Sequence, residues 1–371
     1  MQITCDRTAL TDALSVCIHA AASKSVIVAL EGILMTTWED TLTLCGFNTQ
    51  MAIQIDIDAV CDAREKFVLP ARIFFDIVRK LQGDEVTIKL DDKLNATISC
   101  GRAVFNLKAD SNESFPEVPA VNRSRGVSIP SNLLRDMVND TIFAISTNES
   151  KPVHTGTLFE IDDGLLTLVS VDGYRLAVRK EQIAAKTDEP FSFVVPGSTL
   201  KELVRILPDG DDPVTVYPEK KNGQFEFART TVTTRLLEGE FINYRASIPN
   251  EMPIRMTINK NELIDAVERV SLIISERLKN PVRCLFEGDT LQLTCMTAMG
   301  RSFDEINIPF CPDRLEIGFN NRYLLDALRA CQGDEVVLEL KSGLSPCLFK
   351  PVEGDSYVYL VLPVRLKAED L

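Results

Sequence analysis

At 371 residues the chain is too long for one ordinary domain, and at ~150 residues per domain two or three are expected. Hydrophobic residues make up 45% and charged residues 25%, which excludes a disordered chain; no apolar run nears the ~20 residues of a membrane helix, and the start MQITCDRTALTDAL lacks a basic region leading into an apolar stretch, so the expected place is the cytoplasm. The net charge of −14 speaks against wrapping nucleic acid over the whole surface, and any DNA contact needs a local basic face.

The first predicted helix carries Leu10, Leu14, Cys17 and Ile18 on one face. From Lys66, KFVLPARIFFDIVRKLQGDEVTIKL reads as a short strand, a helix of about ten residues, a Gly-Asp turn and a strand of alternating apolar residues. Asp91-Asp92 marks the next hairpin turn. FPEVP at 115–119 closes the stretch, between the polar connectors KADSNES and VNRSRG. A second long helix follows, with Ser131 as its expected cap and Leu134, Met137, Val138 and Ile142 along one face. LTLVSVDGYRLAVRK at 166–180 is strand, turn and strand, with Asp172 as the turn former.

From Phe191, FSFVVPGSTLKELVRILPDGDDPVTVY repeats the strand–helix–turn–strand order. Thr199 to Glu202 fits a capping box that sets the helix start. Asn222-Gly223 is predicted as a two-residue hairpin turn, because both residues tolerate positive φ. FINYR at 241–245 stands where FPEVP stood, 126 residues on. A third long helix carries Leu263, Val267, Val270 and Ile274. From Leu315, LEIGFNNRYLLDALRACQGDEVVLEL gives the strand–helix–turn–strand unit once more, with Ser342-Gly343 at the following turn.

The chain therefore repeats three times. QGDEV recurs at 82–86 and 332–336, and Arg79, Arg205 and Arg329 stand at one place in each copy. The predicted fold class is α+β, with domains at 1–125, 126–250 and 251–371, each of two helices and antiparallel strands. Basic residues recur on the second helix of each copy: Arg72, Arg79 and Lys80, then Lys201 and Arg205, then Arg322 and Arg329.

Nothing in the pattern points to catalysis. There are two histidines, His19 and His154, and no G-x-S-x-G, dinucleotide-binding, phosphate-loop or H-E-x-x-H motif. The ten cysteines contain no C-x-x-C pair and read as small buried hydrophobes in a reducing compartment. No catalytic residue, metal or cofactor is expected. A hydrolase with an unrecognised site, and a ring-like or rod-like peptide-binding adaptor without DNA, are the competing classes.

Three similar domains in an acidic chain of this length resemble the beta subunit of bacterial DNA polymerase III, the sliding-clamp family. Asp172-Gly-Tyr-Arg-Leu176 is similar to its Asp-Gly-His/Tyr-Arg-Leu turn. YLVLPVRL at 359–366 is similar to its Met-Pro-Met-Arg-Leu terminal signature, with Leu362 and Val364 in place of the methionines, and SFPEVP at 114–119 to its first interdomain junction. The resemblance implies a head-to-tail homodimeric ring of clamp domains around duplex DNA, with sheets outside and helices lining the hole. Such a ring is a processivity factor that tethers polymerases, the clamp loader and repair proteins through short peptides, with no membrane partner.

Carried over by position, the implied peptide pocket takes Val171, Gly173, Tyr174, Arg175 and Leu176 from the turn. Ile242, Ala246 and Ser247 come from the junction, and Leu278, Asn320, Tyr323, Leu344 and Pro346 from the third domain. Val361, Leu362, Pro363, Val364 and Arg365 complete it. His154 stands where an apolar residue is usual and polarises one corner. Aliphatic side chains would form the floor, with Arg175, Asn320 and Tyr323 as oriented polar groups. Lys24 matches a DNA-contacting position. Phe105 is expected to meet Leu272 and Ile273 across the dimer joint, where the acidic complement is reduced to Asp304 and Glu305. Lys367 to Leu371 follow the terminal signature directly and are expected either to fold back on the pocket as a weak competitor or to stay disordered, the commoner fate of termini.

Overall fold

The computed structural model describes residues 1–184, 189–275 and 280–366. Leu278 and the stretch Lys367 to Leu371 lie outside the described residues. Two helices fall in each sequence repeat: α1 (Arg7–Cys17) and α2 (Ala71–Lys80), α3 (Ser131–Ile142) and α4 (Gly197–Ile206). After a single turn, α5 (Tyr244–Ser247), come α6 (Lys260–Ser271) and α7 (Asn321–Ala330).

Each helix buries the stripe that the spacing dictates. Leu10, Ala13, Leu14 and Cys17 are buried on α1, Ala71, Phe74, Ile77 and Val78 on α2, and Leu263, Ala266, Val267 and Val270 on α6. Asp6, Asn259 and Asn320 cap α1, α6 and α7 by accepting backbone N–H bonds. Two expected caps are corrected. Ser131 is the first residue of α3, and its hydroxyl donates to the Pro208 carbonyl at 2.7 Å. Thr199 lies inside α4 and shares a hydrogen bond of 2.8 Å with the Thr234 hydroxyl, while Glu202 pairs with Arg205. No capping box forms there, because Thr199 is held by Thr234, and Glu202 by Arg205 of the same helix and by His19 at 3.1 Å.

By contact the chain falls into two units, Met1–Leu133 with Ser198–Leu236, and Leu134–Gly197 with Leu237–Leu371. Strand pairing explains why the middle repeat contributes to both. In the first unit a 13-stranded sheet is joined by the long strand Met51–Cys61, whose Met51 end pairs with Thr230–Arg235 of the second repeat. In the other unit the eight-stranded sheet runs from Phe191–Pro196 to Ile254–Asn259, and Arg175–Gln182 pairs antiparallel with Tyr357–Val361 of the third repeat. A long hairpin, Val282–Thr297 with Gly300–Phe319, packs on α6 in that unit.

The hairpin near residue 222 exists, but its turn lies two residues early. Val216 pairs with Phe225 and Pro218 with Gly223, and Glu219 N donates to Asn222 O. Lys220-Lys221 are therefore the turn residues, and Asn222 pairs with Arg235 in the third strand. Asn222 and Gly223 are taken up in pairing with Arg235 and Thr234, which moves the turn off them, and the register puts Val214 and Val216 on the core face with Phe225 and Phe227. A one-residue slip would turn them to the other face.

Candidate functional site

The turn between strands Leu165–Val171 and Arg175–Gln182 is built by Asp172. Its Oδ1 accepts from Tyr174 N at 2.8 Å and Arg175 N at 3.0 Å, and Gly173 takes φ +92°, a conformation open to glycine. Asp172 is a turn former, as its sequence context predicts. The turn leaves Tyr174 61% exposed, with its ring stacked on Tyr323 at 6.0 Å.

Arg175 behaves differently from expectation. Its Nε donates to Asp172 Oδ2 at 2.9 Å and its Nη1 to Asp326 Oδ2 at 2.5 Å, and the guanidinium lies 4.4 Å over the Tyr323 ring. Only 10% of its side chain is exposed. Its charge is spent on fixing the turn to α7, so it positions Tyr174 and Tyr323. Asn320 is likewise occupied, its Oδ1 capping α7 by accepting from Arg322 N and Tyr323 N. Burial, then the charge of Asp172, pushes the Tyr323 phenol up, so its hydroxyl stays a hydrogen-bond donor.

Behind the turn lies an apolar floor of Val153, Val171, Leu176, Leu348 and Leu360, with Phe241 and Ile242 packed against it. Leu360 and Leu348 are floor residues that the sequence reading missed. Strand alternation decides the point: Leu360 and Leu362 share one face, whereas Val361, fully buried, points into the other core with Phe349 and Tyr359. Val361 is thus corrected from pocket wall to core. The alternation in YLVLP was the available signal.

Around the floor, Tyr174, Leu344 and Leu362 are exposed apolar side chains, Pro346 and Pro363 are half-buried, and Arg365 is exposed. Ala246 and Ser247 lie exposed on α5. Leu362 N donates to Tyr174 O, and Val364 N to Gly318 O, both at 2.8 Å. Gly318 is needed there, because a Cβ would sit 2.6 Å from Leu366 Cδ2 and 2.8 Å from Val364 O. His154 is buried, its ring edge-on to Phe241 at 5.5 Å, and burial followed by Lys151 holds the imidazole below its ordinary value.

The recurrent arginines occupy one helical position. Arg79, Arg205 and Arg329 are each the ninth residue of a ten-residue helix, in the last turn of α2, α4 and α7. Cations are favoured at that end. All three side chains are more than half exposed, and each touches a carboxylate: Asp76 at 3.2 Å, Glu202 at 3.0 Å and Glu268 at 2.6 Å. Arg72, Lys80, Lys201, Arg322 and Lys24 are also exposed.

Strand Ala103–Lys108 ends the sheet of the first unit and pairs with one neighbour, Asn95–Cys100. Val104 and Phe105 are exposed on it. In the other unit Leu272 is 84% exposed just past α6, and Ile273 is half-buried. Asp304 is tied to Arg269 at 2.6 Å, and Glu305 accepts from Gln292 at 2.9 Å.

All ten cysteines are free, and burial pushes the thiols of Cys5, Cys45, Cys284 and Cys331 up to about 12, far from a reactive thiolate. Among the described residues no cluster of His, Cys, Asp or Glu suits a metal, and no helix is long and apolar enough to cross a membrane.

Comparison with known proteins covers this whole arrangement. Profiles described as the N-terminal, central and C-terminal domains of the DNA polymerase III beta subunit match residues 1–119, 128–243 and 245–365. A Beta sliding clamp of Staphylococcus epidermidis is 29% identical, with 98% of this chain and 99% of that protein covered. A solved structure described as a putative DNA polymerase III beta subunit of Eubacterium rectale is 32% identical at a TM-score of 0.95, covering 98% of this chain and 99% of that one. The DNA polymerase sliding clamp of Bacillus subtilis is 26% identical at a TM-score of 0.96, covering 99% and 100%.

Proposed function

This chain belongs to the DNA polymerase III beta-subunit family, and we propose that it works as a non-enzymatic sliding clamp whose two copies close head to tail around duplex DNA. It holds DNA by topology and weak phosphate contacts, and it captures replication proteins by their short peptides. That role places it with the DNA, in the cytoplasm. The domains are those of the sequence repeat, 1–125, 126–250 and 251–371.

One observation carries the DNA-holding reading: an exposed arginine at the ninth position of the same ten-residue helix in all three repeats. The helix dipole favours a cation at that end, and the choice of an exposed arginine at that one position in every copy supports a shared task. Arg79, Arg205 and Arg329, with Arg72, Lys80, Lys201, Arg322 and Lys24, meet backbone phosphates, which makes binding independent of sequence. Asp76 and Glu268 are exposed partners that contribute little, and Glu202, although more buried, meets Arg205 with a side chain that is itself 63% exposed, so phosphate can replace them. Because an acidic protein makes few contacts at once, the ring slides.

Peptide capture follows from the apolar floor and its exposed rim. Tyr174, Leu344 and Leu362 fold over an incoming aliphatic or aromatic side chain, Leu176 and Leu360 receive it with Leu348 packed beneath them, and Arg365 faces a carboxylate of the peptide. Arg175, Asn320 and Gly318 hold the walls in place.

The test is a set of loading assays on circular DNA. Changing Arg79, Arg205 and Arg329 together to Ala should weaken DNA retention and processive synthesis while leaving the affinity for a Gln-x-x-Leu-Phe peptide unchanged. The salt dependence should flatten by ~0.9 log unit for each contact removed. Wild-type loading and synthesis by the triple variant across a salt series would show that these helices do not face DNA.

A further inference from the structure

The turn and strands that build the peptide pocket occur twice in this chain, and the second copy is open. In the first unit, Asn48 does what Asp172 does: its Oδ1 accepts from Gln50 N at 3.1 Å and Met51 N at 2.9 Å. Thr49 takes φ +72° where Gly173 takes +92°. Phe47 pairs with Ala52 as Val171 pairs with Leu176. Arg235 N donates to Gln50 O at 2.8 Å, as Leu362 N donates to Tyr174 O. Strand Thr230–Arg235 thus stands for Tyr357–Val361, Thr233 for Leu360 and Arg235 for Leu362. On the neighbouring strand Gly223 pairs with Thr234 as Cys347 pairs with Val361, which puts Asn222 in the place of Pro346.

A cavity of about 220 Å³ lies at this second turn, lined by Phe47, Gln50, Pro119, Lys221, Thr233 and Arg235 among others. Its volume is below the ~300–1,000 Å³ of ordinary small-molecule sites, a size for one or two side chains of an extended peptide. The chemistry differs from the first copy. Where that has Tyr174, Leu360 and Leu362, this has Gln50, Thr233 and Arg235. Two cations and no carboxylate line it, and among the described residues neither Lys221 nor Arg235 has an ion-pair partner. Thr233 is 5% exposed, lines the cavity, and its hydroxyl has no hydrogen-bond partner among the described residues. A hydroxyl without a protein partner at the wall of a cavity is open to a group that enters it.

We infer that the groove beside the Asn48–Met51 turn is a second peptide-docking site, selective for a short acidic segment of a partner protein. Carboxylates of that segment pair with Lys221 and Arg235, an acceptor on its backbone or side chain takes the Thr233 hydroxyl, and an aliphatic side chain rests on Phe47 and Pro119. The choice of an extended peptide as occupant rests on the reading of the Tyr174 groove as a peptide pocket. The charge preference rests on the second groove's own residues.

Fluorescence anisotropy on the full-length protein tests this with two labelled probes, an acidic pentapeptide Glu-Leu-Glu-Glu-Leu and a Gln-x-x-Leu-Phe peptide. Lys221→Glu with Arg235→Glu should weaken the acidic probe by at least about tenfold and leave the other unchanged. Thr233→Val, which exchanges the hydroxyl for a methyl group of similar size, should weaken the acidic probe by about fivefold. Tyr174→Ala should act on the Gln-x-x-Leu-Phe probe alone. The proposal is overturned if the acidic probe fails to saturate at millimolar protein, ignores the charge reversal, or is lost with Tyr174→Ala. Failure of the Gln-x-x-Leu-Phe probe on wild type is a separate result and sinks the reading of the first pocket.

Discussion

At the scale of single residues, the site depends on side chains whose polar groups are already occupied. Arg175 holds two carboxylates and covers the Tyr323 ring, so it is not free to choose a ligand, and Asn320 spends its Oδ1 on capping α7, which leaves only its amide N–H2. His154 is the titratable exception. Burial, then Lys151, lowers its proton affinity in the fold, so the unfolded chain takes up the proton first as pH falls. Its contribution to stability is whole above the ordinary histidine value of ~6.5 and is lost as pH drops through the lower folded value. Urea midpoints should therefore decline between about pH 7 and pH 5, and His154→Phe, which keeps the edge-on contact with Phe241, should make the decline shallower. Equal declines in the two proteins would assign the pH dependence to other groups.

At the scale of elements, the terminal strand is the part of the pocket with the closest tolerance. It is held by Leu362 N on Tyr174 O and Val364 N on Gly318 O, and only a residue without Cβ lets it come so near. Gly318→Ala should push Val364 and Leu366 outward, costing about 1–3 kcal/mol of stability. The same shift should weaken a Gln-x-x-Leu-Phe peptide by about five- to tenfold in an anisotropy titration. A variant that loses stability yet binds the peptide normally would mean that the strand's exact path does not shape the pocket.

For the whole molecule, the decisive event in the proposed function is closure of two chains. The free edge strand Ala103–Lys108 exposes Val104 and Phe105 beside unpaired backbone groups, and Leu272 stands bare after α6. An uncovered strand edge with apolar side chains is a pairing surface. With Asp304 and Glu305 engaged internally, the proposed joint would rest chiefly on apolar contact. Phe105→Asp should give monomers at micromolar concentration by sedimentation velocity, with each chain's stability changed by less than about 1 kcal/mol because the position is solvent-facing in the single chain. A dimeric variant, or a monomeric wild type, would contradict a joint at these residues.

The sequence by itself determined what depends on nearby residues. Helical spacing placed all six long helices found among the described residues, and a residue spacing near 125 revealed three copies. One arginine position recurred in each, and Asp172-Gly173 specified its own turn through hydrogen bonds reaching no farther than three residues. The tertiary structure decided what depends on pairing at long range. Thr230–Arg235 joins the sheet of Met51–Cys61, and Tyr357–Val361 joins that of Arg175–Gln182, so sheets cross the repeats that the sequence separates. Register across those pairs set which of Leu360 and Val361 faces the pocket, and moved the hairpin turn to Lys220-Lys221. Asp326, 151 residues from Arg175, decided that this arginine positions the wall. A strand's two faces alternate at every residue, so a shift of one position exchanges core for pocket, and only the partner strand fixes that position.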